Sequence, residues 1–198
     1  GLDLGTGTGI LGILLCGKTD LSKIYGIEVQ QEVAEMAQRS VKLNNLENRF
    51  EIINKNIKDL ESVFDKNSFD FIITNPPYKK MDTGKTNENS KKLISRHEIT
   101  ATLKDFIKIS YIMLKDKGTL YMVHKPERLV DIIYQLRKNK IEPKEIRFVH
   151  PYEKKEPNLI LIKAVKNGGQ FLKIDKPLYV YNERGEYTEE ILKIYNKM

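Results

Sequence analysis

The chain has 198 residues, enough for one domain of ordinary size with a proper core. Apolar residues make up 40% of it, which excludes a disordered chain, and no apolar run nears the ~20 residues of a membrane span. Against 27 Asp and Glu stand 34 Lys and Arg, a net charge of +7 that brings a polyanionic partner into scope. Cys16 is the single cysteine and cannot form an internal disulfide, so a reducing, cytoplasmic setting is expected.

The opening Gly1-Leu2-Asp3-Leu4 reads as the middle of a strand with no initiator Met, so a missing native N-terminal segment is expected. Strand and helix signals then alternate, the pattern of βαβ units on a parallel sheet. Short apolar runs at Leu2–Leu4, Ile24–Ile27, Phe50–Ile53, Phe69–Thr74 and Leu120–Val123 predict strands. Between them, helical spacing is carried by Val33, Met36, Ala37 and Val41, then by Leu103, Phe106, Ile107, Ser110 and Met113, then by Leu129, Ile132, Ile133 and Leu136. Ile146–Val149 and Leu159–Val165 are joined by a loop too short for a crossover helix, which predicts an antiparallel pair. A short β-like piece at Pro177–Tyr181 and a helix at Thr188–Tyr195 follow. The segment Lys79–Glu98 has no periodicity, and a loop of that length is usually functional.

Two stretches carry chemistry. The first, Asp3-Leu4-Gly5-Thr6-Gly7-Thr8-Gly9, lies between a strand and the apolar helix Ile10–Cys16. Glycines there allow a tight turn and let a ligand lie against bare backbone at a helix N-terminus. Gly7-x-Gly9-x-x-Gly12 also satisfies the dinucleotide fingerprint, with Glu28 placed to hold a ribose, so NAD stays open on this motif alone. So does a strand-to-helix turn with no ligand at all. However, Asp3 sets a carboxylate beside the loop, where it repels a pyrophosphate and attracts a cation. A ligand with an ammonium, a sulfonium and a ribose, S-adenosylmethionine, suits that charge. Asn56, after the third strand, is placed either to bond an adenine edge or to close a turn on its own backbone.

The second stretch is Asn75-Pro76-Pro77-Tyr78, where the fourth strand ends. In a doubly wound sheet that end emerges beside the first strand, at the crevice where ligands bind. Two prolines make a stiff segment with free carbonyls. Asn75 Oδ1 and the Pro76 carbonyl can accept the two hydrogens of an exocyclic amine and aim its lone pair, a matter of positioning and electrostatics rather than of a base. Tyr78 offers a face for a base to stack on. A plain proline turn with a packed Tyr is the alternative.

Asp3–Gly9, Glu28 and Asn75–Tyr78, in this order and spacing, resemble the class I S-adenosylmethionine-dependent amino-methyltransferases of adenine N6, guanine N2 or glutamine N5. "ISRHE" (Ile94–Glu98), "HKPERL" (His124–Leu129) and "HPYEKKEPNLILIKAVKNGG" (His150–Gly169) are similar, more narrowly, to the bacterial group related to tRNA1(Val) (adenine-37-N6)-methyltransferase. The resemblance implies one α/β domain over 1–198 with a doubly wound, Rossmann-like, seven-stranded, mostly parallel sheet and a C-terminal antiparallel hairpin. It implies Asp3, Gly5, Thr6, Gly7, Gly9, Glu28, Asn56 and Ile57 at the cofactor, S-adenosylhomocysteine as its product, and Asn75, Pro76, Pro77 and Tyr78 at the target amine. Asn56 stands where an aspartate is commoner. Lys79, Lys80, Lys85, Lys91, Lys92 and Arg96, in a run of six basic and two acidic residues from Lys79 to Arg96, and His97 just after it, are expected to contact RNA, tRNA or another structured one. A solvated Lys-rich surface is the other reading of that run. No Cys/His cluster points to a metal, no membrane partner is expected, and His124 and His150 read as structural. A glutamine N5-methyltransferase acting on a translation factor, or a catalytically silent RNA-binding module of the same fold, would use the same motifs.

Overall fold

The computed structural model describes residues 1–78 and 101–195, so the segment Lys79–Glu98 with its seven candidate RNA contacts lies outside the described residues. Strands β1 (Leu2–Leu4), β2 (Ile24–Glu28), β3 (Phe50–Asn54) and β4 (Phe69–Thr74) alternate with helices α1 (Ile10–Lys18) and α2 (Gln31–Leu43). Helix α3 (Leu103–Met113), strand β5 (Leu114–His124) and helix α4 (Leu129–Lys138) follow. The chain closes with β6 (Ile141–His150), β7 (Leu159–Lys166), β8 (Lys173–Ile174), β9 (Leu178–Tyr179) and helix α5 (Glu189–Ile194).

Among the described residues these strands form one sheet in the order β3-β2-β1-β4-β5-β7-β6-β8, with β9 also on β6. The first five pair in parallel. β7 runs antiparallel to β6, as the short loop joining them requires, and it is also antiparallel to β5. The sheet therefore has nine strands instead of seven. The two additions are only two residues long and join β6 at its edge, too short to carry a period of their own.

The largest core cluster lies where β1, β4, β5 and β7 meet α3 and α4, and includes Leu4, Ile72, Phe106, Ile107, Leu120, Ile132 and Ile160. Each such side chain contributes on the order of 1.5–3 kcal/mol by leaving water. Helix α3 starts cleanly because Thr102 and Asp105 form a reciprocal cap: the Thr102 side chain accepts from Asp105 N and Asp105 Oδ2 from Thr102 N. A second cluster, with Cys16, Ala37 and Phe50, packs α1 and α2 on β2 and β3. The contact is close. A Cβ at Gly12 would sit 2.3 Å from the Phe50 ring, so α1 needs glycine there to reach the sheet.

Two expectations shift. The buried stripe of α2 is Ala34, Ala37 and Val41, and Met36 is exposed. Small alanines let α2 approach the glycine loop, where the Ala37 Cβ lies 3.5 Å from the position a Gly9 Cβ would take. Strand β5 begins at Leu114, six residues earlier than its apolar run indicates, through the charged stretch Lys115-Asp116-Lys117.

Candidate active site

Register places the two motifs side by side. Leu4 pairs with Thr74 across β1 and β4, and Thr74 Oγ1 donates to the Leu4 carbonyl at 2.9 Å. Gly5 and Asn75, the next residues in each strand, thus leave the sheet at the same edge. Topologically this is the switch point between β1 and β4, where doubly wound sheets bind ligands.

The glycine loop is built by backbone. Gly5, Gly7 and Gly9 all take left-handed φ, at 71°, 57° and 86°. Gly5 N and Thr6 N both donate to the Ile27 carbonyl, and Gly9 N donates to the Thr6 carbonyl. A Cβ on Gly7 would meet nothing within 4 Å, so the loop there faces open space instead of a packed wall. Glu28 is buried at the end of β2 and ties the loop to the next turn: its carboxylate accepts from Gly7 N at 3.1 Å and from Gln30 N at 2.9 Å.

Asp3 is fully buried, and desolvation pushes its carboxyl up to about 7, against the pull of the Thr6 hydroxyl and with a further push from Glu28. Thr6 Oγ1 donates to Asp3 Oδ2 at 2.6 Å, while Oδ1 is buried with no hydrogen-bond partner among the described residues. A buried, half-satisfied carboxylate beside a loop open to one side fits a cationic ligand, directly or through a bound water.

Asn56 caps the 3-10 turn Ile57–Ser62, its Oδ1 accepting from Lys58 N at 3.0 Å. That is the turn-closing alternative for this residue. Ile57 is buried in the main core cluster.

At the other motif, Asn75 and Pro77 are exposed, Pro76 is buried and Tyr78 is half-buried. The Tyr78 hydroxyl donates to Asn75 Oδ1 at 2.6 Å. Three residues that the sequence does not assign to the site close around Tyr78. His124 lies edge-on to its ring with centroids 5.1 Å apart, Lys125 Nζ is 5.5 Å from the ring centre, and Arg128 Nη1 donates to its carbonyl at 3.4 Å. They all belong to the "HKPERL" stretch, the one signal that marked them. Burial, with the Arg128 charge, holds the His124 imidazole below its ordinary value, so it stays neutral at neutral pH. No group of His, Cys, Asp and Glu among the described residues is arranged to hold a metal ion. Nor is any described helix long and apolar enough to cross a membrane.

The fold is that of Rossmann-like methyltransferases. A predicted O-methyltransferase from Agrobacterium tumefaciens superposes with a TM-score of 0.80 at 21% identity, over 98% of this chain and 87% of that one. A ribosomal protein L11 methylase from Lactobacillus delbrueckii superposes with a TM-score of 0.58 at 19% identity, over 83% and 69%. Residues 1–138 match the family described as methyltransferase small domain, and the chain belongs to it. Among curated relatives, the tRNA1(Val) (adenine(37)-N6)-methyltransferase of Porphyromonas gingivalis is 28% identical over 162 residues. That match takes in 81% of this chain and 63% of the relative, so the chain spans less than two thirds of that protein's length. The enzyme of the same name from Parabacteroides distasonis is 26% identical over 198 residues, 98% of this chain and 79% of the relative.

Proposed function

We propose that the chain transfers a methyl group from S-adenosylmethionine to the exocyclic N6 amine of an adenine in RNA, and that the RNA is a tRNA. The observation that carries this reading is the adjacency of Gly5 and Asn75: one loop with a buried, half-satisfied acid meets one exposed amide at a single sheet edge. The names of the curated relatives support the choice of adenine in tRNA over other amines.

Asp3, Gly5, Thr6, Gly7, Gly9 and Glu28 would hold the cofactor, whose sulfonium supplies an activated methyl group and a good leaving group. Asp3 meets positive charge, and the open side of Gly7 leaves the backbone bare toward it. Glu28 offers its remaining acceptor capacity to ribose hydroxyls. Asn56 and Ile57 have a smaller part, since one caps a turn and the other fills the core.

An aromatic amine is a poor nucleophile because its lone pair is drawn into the ring. Asn75 Oδ1 and the Pro76 carbonyl would accept its two hydrogens and favour the pyramidal nitrogen, so no base is needed before transfer; the surplus proton of the methylated amine would then pass to water. Tyr78 supplies a stacking face worth about 1–3 kcal/mol. Lys79, Lys80, Lys85, Lys91, Lys92, Arg96 and His97 follow directly in the chain and would hold the phosphates of an unpaired, readily extruded nucleotide. The enzyme would work in the cytoplasm.

Incubation with methyl-labelled S-adenosylmethionine, total bacterial tRNA and total bacterial protein tests the reading. Label is expected in RNA; label in protein alone would point instead to glutamine N5 and overturn it.

A further inference from the structure

The acceptor that this reaction demands of Asn75 already carries one hydrogen bond. The separation of 2.6 Å from the Tyr78 hydroxyl is that of an O–H···O bond, so the amide is turned with its oxygen to the phenol. A carboxamide oxygen has two lone pairs, and one remains for an amine hydrogen. Were the amide flipped, an N–H donor would face the amine and repel it. Asn75 is exposed, and among the described residues no backbone group bonds its amide to select between the two orientations.

Tyr78 is itself held. His124, fully buried at the last position of β5, sets its ring against the Tyr78 ring at 64°. Its Nδ1 accepts from Lys125 N at 2.7 Å, so the proton of the neutral ring sits on Nε2. Nε2 is buried and has no hydrogen-bond partner among the described residues. A side chain with an orphaned polar atom is a poor choice for filling space alone, and its place behind Tyr78 gives it a purpose.

We infer that His124 and Tyr78 act in series as positioning residues: His124 fixes the Tyr78 ring, and the Tyr78 hydroxyl holds the Asn75 amide with Oδ1 toward the incoming amine. This rests on the amine-transfer reading above. Tyr78 thereby has two separable functions, a ring that stacks and a hydroxyl that orients.

The test reads the Asn75 side-chain amide directly, by nitrogen relaxation in the full chain labelled with 15N-asparagine, the resonance being assigned by its loss in Asn75→Ala. An ordered amide is expected in the wild type, a mobile one in Tyr78→Phe and in His124→Ala, and recovered order in His124→Phe, which restores a ring edge. In transfer assays Tyr78→Phe should lower kcat about tenfold with KM for RNA within about twofold, because the stacking face is kept. An Asn75 amide unchanged by Tyr78→Phe, or a kcat within about twofold of wild type, overturns the proposal. A wild-type chain that methylates no RNA, yet shows the relaxation changes, counts against the RNA reading and leaves the positioning pair standing.

Discussion

The two halves of the site are held by different forces. The glycine loop is pinned mainly by backbone, through Gly5 N and Thr6 N to the Ile27 carbonyl and three left-handed glycines, with one buried side chain, Glu28, on Gly7 N. The Asn75–Tyr78 end is held by side chains, through one phenol–amide bond, one ring pair and a guanidinium on a carbonyl. A backbone-built pocket tolerates little change and is formed before its ligand arrives. A side-chain-built grip can be altered one contact at a time. The cofactor half should therefore be insensitive to substitutions in the target half, and the reverse should fail, since no transfer occurs without the cofactor.

The largest expected effect breaks the target half alone. Asn75→Ala should reduce methyl transfer by about 10³-fold, as loss of an oriented acceptor does, while S-adenosylhomocysteine affinity by calorimetry stays within about twofold. Equal loss of both would merge the two halves. Next comes Glu28→Ala, which removes the group that binds the loop and that we propose for the ribose. It should weaken S-adenosylhomocysteine binding by about 100-fold, and transfer should fall with it. A binding constant close to that of the wild type would remove Glu28 from the cofactor set.

A smaller effect is read in pH. With its carboxyl raised to about 7, Asp3 is largely protonated at pH 5.5 and must ionise to meet a cationic ligand. Affinity for S-adenosylmethionine should therefore rise about tenfold from pH 5.5 to 7, with proton release on binding, and Asp3→Asn should flatten the profile. The same shift sets the sign for stability. A carboxyl whose folded value lies above its ordinary value of 3.8 favours the folded chain at low pH. That advantage is lost as pH rises through about 7. The smallest effect belongs to Asn56→Ala, which should change cofactor affinity by less than about threefold because Oδ1 already caps Lys58 N. A tenfold loss would restore Asn56 to the adenine edge.

The same contrast explains what the sequence disclosed. Motifs that act through backbone are written in residue type, so Asp3–Gly9 and Glu28 could be placed from glycine spacing and one acid after a strand. The adjacency of β1 and β4 followed from the doubly wound topology, and the antiparallel pair of β6 and β7 from the short loop between them. What stayed hidden depends on side chains meeting across the sheet. His124 is 46 residues from Tyr78, and only its place in the "HKPERL" stretch marked it (124 − 78). The stripe of α2 moved because alanines are weak in any hydrophobic pattern, yet Ala34 and Ala37 are buried and the Ala37 Cβ lies 3.5 Å from where a Gly9 Cβ would sit. The start of β5 was masked by Lys115 and Lys117, whose stems and charges lie at an exposed turn of the strand.

The central claim is that the amine gripped at Asn75 is adenine N6. It is tested most directly by digesting tRNA methylated by the wild-type chain to nucleosides and identifying the labelled one by mass spectrometry. N6-methyladenosine is the predicted product. Label in N2-methylguanosine, or in no nucleoside while protein is labelled, would contradict the claim.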